Sequence, residues 1–312
     1  MIARDDLVRA CDALLDAPRD ALLDAVQSFI PAGCLEMWAP EFVDHVAVES
    51  NAVQVRLRSG HRLVAPLCVA ADGKFSRLRT QAGIKTLDWT YGQSGLVATV
   101  RHAFGHDGLA QEYFLPGGPF AILPMTGNRS SLVWTERSEA AKHLIDMNAD
   151  DFLAQLRARF GSYLGEVSLA GPVWSYPLSL VLAERFVGDR LALVGDAAHA
   201  IHPIAGQGFN LGLRDIAALI EVVVDAKRLG LDIGGAGVLE RYQRWRRFDS
   251  VVLAVVTDAL NRLFANDIGP IRLVRDAGLS VVNQAGPLRR LLMKHAAGHV
   301  GDRPKLLRGQ PI

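Results

Sequence analysis

Cysteine is scarce in this chain: Cys11, Cys34 and Cys68 are an odd number, widely spaced and without a C-x-x-C pair. That pattern argues against a disulfide framework and against a cysteine zinc site. Excess charge of either sign is also missing, since 34 Lys and Arg against 33 Asp and Glu leave a formal net charge of +1. A balanced surface sets up no field that would draw in nucleic acid, so no nucleic-acid partner is expected. Long apolar runs are absent too. The candidate Val251 to Val256 stands between Asp249 and Asp258, far short of the ~18 apolar residues of a spanning helix. The first residues carry Asp5 and Asp6 where a signal peptide would be basic and then apolar, and a cytoplasmic protein is expected. Internal repeats and low-complexity segments are missing as well.

What is present is ordinary globular material, 50% hydrophobic and 21% charged, enough for one large domain or two modest ones. Residues 4 to 30 read as helix around Pro18, with Leu22, Leu23, Val26 and Ile30 at helical spacing and Pro31-Ala32-Gly33 as the stop. Val53, Val55 and Leu57 alternate with polar residues, and Ser59-Gly60 turns the chain into a second strand run, Leu63 to Ala70. From Leu87 to Ser179 the pattern is mostly β, with strands at Gly95 to Val100, Glu112 to Leu115, Phe120 to Met125 and Ser131 to Thr135. One helix interrupts it, with Asp150 as expected N-cap and Leu153, Leu156 and Phe160 on one face. Beyond Asp215 the chain reads as helical. Phe209, Leu213, Ile216, Ile220 and Val223 form one apolar stripe, and Leu239, Tyr242, Trp245, Val252, Val255 and Leu263 another, before Gly269-Pro270.

The stretch with most chemical content is Leu191 to Asp215, LALVGDAAHAIHPIAGQGFNLGLRD. Its apolar run ends at Gly195-Asp196, where a strand would present a carboxylate at the C-terminal edge of a sheet, the edge at which open α/β sheets bind ligands. Pro203, Gly206, Gln207 and Gly208 let backbone approach a flat ligand, and Asn210 opens a helix whose free N–H groups favour an electron-rich atom. This order suits a flavin: Asp196 for sugar hydroxyls and the loop from Gly206 to Asn210 for the ring. A glycine-rich turn before a packed helix is the bland alternative, which the length of the motif disfavours.

A second motif, CVAADGKFSRLR from Cys68 to Arg79, places Asp72 and Gly73 after a buried strand. There Asp72 can order the loop and Arg79 can reach a phosphate; an ordinary strand-to-helix turn accounts for it equally well. His199 and His202 have a spacing that on a helix would suit a metal, but Pro203 and the glycines break a helix there, and no metal is expected. The arginines 241, 244, 246 and 247 read as a solvated helix face. Trp134, Trp174 and Tyr176 suit either an aromatic pocket or core packing. Leu288 to Lys294 suits a membrane-surface helix or, preferably, a helix docked on its own protein.

Together the two motifs resemble those of the flavin-dependent aromatic hydroxylases, in particular the UbiH-like branch of ubiquinone biosynthesis. ADGKFSRLR is similar to that family's Asp-Gly motif and VGDAAHAIHPIAGQGFNLGLRD to its Gly-Asp motif, while FLPGGPFAILPM with SLVW, and VTDALNRLFAND, resemble the ubiquinone branch itself. The resemblance implies an α/β fold: an FAD/NAD(P)-binding Rossmann-like domain with an inserted, mostly antiparallel β substrate domain and a helical C-terminus. On it, residues 1–86 are the first part of the FAD-binding domain, 87–180 the β-sheet substrate domain, 181–265 the second FAD-binding part and 266–312 a helical tail. The family opens with a G-x-G-x-x-G βαβ unit for the adenosine pyrophosphate, and that motif does not occur in this sequence. The Rossmann-like domain is therefore expected to be incomplete and the chain N-terminally truncated. Three lost contacts at ~1.5 kcal/mol each would weaken flavin binding over a thousandfold.

The implied reaction uses FAD, NAD(P)H and O2 to hydroxylate a prenylated phenol. The implied site has Asp72, Gly73 and Arg79 on the pyrophosphate side, Gly195 and Asp196 at the ribityl chain, and Gly206, Gln207, Gly208 and Asn210 at the ring. His202 and Pro203 then form the catalytic, substrate-facing edge. Peripheral association with the inner membrane or with a ubiquinone-biosynthesis complex is compatible with this reading. The alternatives are a hydroxylase of another phenol and an inactive remnant that does not retain FAD.

Overall fold

The computed structural model describes residues 34–264, 285–287, 290 and 302–312. In chain order the first strands are β1 (Val43–Val48), β2 (Val53–Leu57), β3 (Arg62–Ala65) and β4 (Cys68–Ala70), followed by a short helix α1 (Arg77–Gln81). Then come β5 (Thr86–His102), β6 (Gln111–Leu115), β7 (Gly118–Met125) and β8 (Arg129–Arg137), and the helices α2 (Ser138–Ile145) and α3 (Ala149–Phe160). The rest is β9 (Val167–Leu169), β10 (Trp174–Ala183), β11 (Val187–Gly188), β12 (Leu191–Leu193), β13 (His199–Ala200) and two long helices, α4 (Gly208–Arg228) and α5 (Ala236–Phe264). The expected helix over 4 to 30, the stop at Gly269-Pro270 and most of the segment from Leu288 to Lys294 lie outside the described residues.

β1, β2 and β3 form an antiparallel sheet in that order, with Val53 and Leu57 of the alternating run buried and Gly60 turning the chain at φ 92°. The run Leu63 to Ala70, expected as one strand, is two strands in different sheets. Pro66 causes the break, because it has no N–H for a ladder; its carbonyl instead accepts from Arg190 Nη1 at 3.0 Å.

β4 joins a second sheet in the order β11-β12-β4, with β12 and β4 parallel and Leu191, Ala192 and Leu193 opposite Cys68, Val69 and Ala70. Leu191 to Val194 are buried, as a strand covered on both faces should be. They pack with Ala218, Leu219 and Val222 of α4 and with Leu239 and Tyr242 of α5. Among the described residues β4 is the edge of this sheet.

The third sheet is antiparallel, in the order β13-β10-β5-β8-β7-β6 with β9 also on β5. Its core, Leu96, Phe120, Trp134, Phe152, Leu156 and Phe160, is closed by α2 and α3. Trp134, at 1% exposure, belongs to this core, so of its two readings packing is the one realised. β5 starts well before the expected Gly95. Its first half bends at Gly92, φ 66°, opposite a register shift between Pro177 and Ser179 of β10, and the bend hides the alternation of Trp89, Tyr91 and Gln93.

Three helical expectations are corrected. The N-cap of α3 is Asn148, not Asp150: Asn148 Oδ1 accepts from Asp151 N at 2.9 Å. α2, unexpected from the sequence, precedes it. On α4 the apolar stripe is not the buried face. Phe209 is 76% exposed, and Leu213, Ile216 and Ile220 are exposed as well in the described chain, while Leu211, Asp215, Ala217, Ala218 and Val222 are buried. Gly212 and Ala218, beside Leu219 and Val222, let α4 lie close to the second sheet. On α5, likewise, Leu239 and Tyr242 are buried but Val252, Val255 and Leu263 are exposed.

Candidate functional site

The two sequence motifs meet because β4 and β12 are adjacent parallel strands, so each motif leaves the C-terminal end of its strand on the same edge. Beyond β12, Val194 N donates to Ala70 O at 3.0 Å. Gly195 then turns the chain at φ 58°, a left-handed conformation natural to glycine. Asp196 follows on a 3-10 turn, exposed.

Asp215 holds this turn from behind. Its Oδ2 accepts from Gly195 N at 3.0 Å and pairs with His199 Nε2 at 2.6 Å. Its Oδ1 accepts from Arg246 Nε at 2.9 Å, and Arg246 Nη1 reaches Asp249 at 2.9 Å. Arg246 is thus buried, unlike the solvated face expected for its cluster. Burial holds the Tyr242 phenol well above its ordinary pKa, and as a donor it reaches Leu193 O at 2.7 Å. A close approach completes the arrangement, since a Cβ built on Gly212 of α4 would lie 3.4 Å from Gly195 Cα.

His202 caps the next 3-10 turn, Pro203–Ala205, its Nδ1 accepting from Ile204 N at 3.2 Å. That bond places the ring proton on Nε2, a buried atom with no hydrogen-bond partner among the described residues. Burial lowers the His202 pKa to about 4, against a smaller opposite pull from Asp258, so the ring is neutral. Gly206 then adopts φ 59° and α4 begins at Gly208. A Cβ on Gly206 or Gly208 would meet nothing within 4 Å. Gln207 offers the helix no side-chain cap, so the first N–H groups of α4 lack an intrahelical partner, and Asn210 in this first turn is exposed.

The Asp-Gly motif folds as a capped turn. Asp72 Oδ2 accepts from Arg77 N at 2.9 Å and Leu78 N at 3.2 Å, Gly73 turns at φ 80°, and Ser76 Oγ accepts from Arg79 N at 3.0 Å. Arg79 is buried; its Nη1 donates to Ala197 O and its Nη2 to Lys74 O, both at 2.9 Å. Its guanidinium thereby ties this turn to the one carrying Asp196.

A cleft of about 500 Å3 opens between β5 and α5, lined among others by Trp89, Tyr91, Gln93, Gly117 and Asn261. Tyr91 packs edge-on against His202 with ring centroids 4.9 Å apart. Burial pushes its phenol up to about 12, and the charge of Asp258 adds to this. Trp174 and Tyr176 are exposed on β10. Sequence reasoning placed no site residue on β5 or α5, and Asp215 entered only as the end of a motif. One signal for Asp215 was present: a carboxylate closely followed by Ala217 and Ala218 stands on a small-residue helix face, where an acid is rarely buried unless paired.

Parallel strands delivering two turns and an open helix N-terminus to one edge define a nucleotide-cofactor-binding α/β protein. The FAD binding domain family matches residues 40–247, and the chain belongs to that family of FAD-dependent monooxygenases. It is 49% identical over 286 residues to ubiquinone hydroxylase UbiL of Rhodospirillum rubrum, covering 91% of this chain and 66% of that protein. To the 3-demethoxyubiquinol 3-hydroxylase of Escherichia coli it is 38% identical over 247 residues, 78% of this chain and 62% of the relative. The chain thus spans about two thirds of the length of these relatives. The p-nitrophenol 4-monooxygenase PnpA of Pseudomonas putida shares the fold, with a TM-score of 0.71 at 19% identity over 88% of this chain and 70% of that one. The resemblance read from the two motifs and the α/β fold expected from it agree with these matches. No helix among the described residues is long and apolar enough to cross a membrane.

Proposed function

We propose that this chain carries the ribityl- and ring-facing part of the FAD site of a hydroxylase that uses NAD(P)H and O2 to hydroxylate the aromatic ring of a prenylated phenol in ubiquinone biosynthesis. The observation that carries the proposal is the pairing of an exposed Asp196 carboxylate with the side-chain-free N-terminus of α4 on one sheet edge. The residues present fit a flavin there. A carboxylate accepts from sugar hydroxyls, and uncapped backbone N–H groups stabilise the electron-rich edge of a ring. Glycines at 206 and 208 leave room for a flat group to approach.

When bound, FAD supplies the electron transfer from NAD(P)H to O2 that ring hydroxylation needs. The chain's own residues bind and orient. Asp196 and Gly195 hold the ribityl side, while Gly206, Gln207, Gly208 and Asn210 offer backbone to the ring. On the pyrophosphate side Asp72 and Gly73 shape the loop and Arg79 fixes it to the Asp196 turn. His202 and Pro203 face the substrate, with His202 neutral at physiological pH. The assignment to ubiquinone biosynthesis draws on the relatives named above.

The test is to purify the chain, add FAD, remove unbound cofactor by gel filtration and record the flavin spectrum. NADH and NADPH oxidation with a prenylated phenol under isotope-labelled O2 then follows. Retained flavin, and one labelled oxygen in the product, are expected. A colourless protein overturns the catalytic reading for this chain, and flavin with turnover only on a non-prenylated phenol overturns the substrate.

A further inference from the structure

Two stretches singled out in the sequence, FLPGGPFAILPM and VTDALNRLFAND, contribute nothing to the turns assigned to the flavin. Their described residues meet at the end of α5. Asn261 Nδ2 donates to Gln93 Oε1 at 3.1 Å, and Gln93 Nε2 donates to Gly117 O at 2.9 Å. Phe264 stacks on Phe114 with ring centroids 4.1 Å apart. The first half of the same helix is fixed to the other part of the fold: Tyr242 donates to Leu193 O at 2.7 Å and Arg246 Nε to Asp215 Oδ1 at 2.9 Å. With 29 residues, α5 is about 43 Å long. It is held towards both ends, and between them it lies beside the 3-10 turn Pro203–Ala205.

Tyr91 of β5 joins the helix to that turn. Its hydroxyl is hydrogen-bonded to Asp258 and to Trp89. An indole N–H only donates and a carboxylate only accepts, so Trp89 gives to the phenol oxygen and the phenol gives its proton to Asp258. Burial, with the charge and the bond of Asp258 adding to it, pushes this phenol up to about 12, and the proton stays in place at physiological pH. Asp258 is held in turn by Arg262 at 2.8 Å, whose guanidinium lies 5.7 Å from the centre of the Trp89 ring. The Tyr91 ring then stands edge-on to His202, with 4.9 Å between centroids and 85° between planes. His202 is fully buried, and its Nδ1 caps the turn by accepting from Ile204 N. A flip of the imidazole would put a carbon where Nδ1 stands and remove the cap. What packs on this ring therefore decides whether the turn keeps its shape, and an edge-on aromatic contact shifts an equilibrium by up to about tenfold.

We propose that Tyr91, held by Asp258 and Trp89, is a positioning residue that fixes the His202 imidazole and, through it, the turn by which the chain enters the loop assigned to the flavin ring. The identity of that loop's ligand rests on the flavin reading above. Tyr91 acts through His202, and neither Tyr91 nor Asp258 is assigned a step in the chemistry.

The test is NMR of the chain carrying 15N-labelled histidine, first without FAD, followed by FAD titration and the visible spectrum of the bound flavin. His202 is assigned by its loss in His202→Asn. In wild type it should appear as a single neutral tautomer with the proton on Nε2. Tyr91→Leu removes the ring, and Tyr91→Phe keeps the ring but removes both hydrogen bonds; two exchanging tautomers are expected, more evenly populated in the first than in the second. With FAD, Tyr91→Leu should bind up to about tenfold more weakly and shift the visible bands of the flavin. Phe160→Leu, in the core closed by α3, is the control that lowers stability without touching this link, and it should leave the His202 signals and the flavin bands as they are. Unchanged His202 signals in Tyr91→Leu, or equal changes in Phe160→Leu, overturn the positioning role. Unchanged signals in Tyr91→Phe overturn the part given to Asp258 and Trp89. If wild type binds no FAD, the flavin reading fails, whereas the histidine signals of the FAD-free chain still decide the role of Tyr91.

Discussion

Asp215 accepts the Gly195 N–H at 3.0 Å, tying α4 to the glycine that ends β12. The same carboxylate holds His199 at 2.6 Å and Arg246 at 2.9 Å, with the side chains of Asp215 and His199 at 0% exposure and that of Arg246 at 1%. The turn that carries Asp196 therefore rests on a buried charge rather than on packing alone. Its stability and its shape should fail together.

Asp215→Asn is expected to lower stability by about 3–5 kcal/mol, the range for removing one partner of a buried ion pair. The amide keeps one acceptor oxygen and no charge, so either Arg246 or the Gly195 N–H and His199 would face an NH2 group instead of an acceptor, while Arg246 keeps Asp249. Urea unfolding with a two-state fit measures this. A loss below about 1 kcal/mol would show that the pair does not organise the turn.

Gly212→Val tests the close approach. A Cβ at this position stands 3.4 Å from Gly195 Cα, and two further methyl carbons have to move α4 or the turn, at a cost of about 1–3 kcal/mol. Gly237→Val, with open space around its Cβ, is the control for a β-branched residue near a helix start. If both variants unfold at the same urea concentration and bind FAD alike, the approach is not a constraint.

His202 makes stability depend on pH. Its pKa is lowered to about 4 by burial in the folded chain, against ~6.5 in an unfolded one. Between these values the unfolded state binds more protons, so stability is full above about pH 6.5 and falls as pH drops towards 4, by up to about 3 kcal/mol. His202→Asn keeps an acceptor for Ile204 N and cannot titrate. The difference in stability between wild type and this variant should change through that window, and a difference constant with pH would contradict the burial of a neutral ring.

These residues also show what was legible in the sequence. The strand ending at Gly195-Asp196 could be read because a parallel strand covered on both faces is a plain apolar run, and the glycines and proline after it break every regular pattern. The Asp215–Arg246 pair could not. Its partners are 31 positions apart, and Arg246 among Arg241, Arg244 and Arg247 looks like any surface arginine. The buried face of α4 was misread for a related reason: large side chains suggest burial, whereas the close approach to Gly195 is made by Gly212 and Ala218 packs against β12. At the start of α3, Asn148 and Asp150 both suit an N-cap, and only the extended backbone of Asn148, ψ 163°, decides between them. The cleft between β5 and α5 stayed hidden because those two segments, far apart in sequence, share no local motif.

Flavin held by Asp196 and the N-terminus of α4 is read out by FAD titration of wild type and Asp196→Ala, followed by flavin fluorescence. A lost charged acceptor is worth ~1.5–3 kcal/mol, so the variant should bind FAD about tenfold to a hundredfold more weakly with an unchanged circular dichroism spectrum. Equal affinity in the two proteins, or no flavin binding by wild type, would rule out a flavin held by Asp196 and this helix N-terminus.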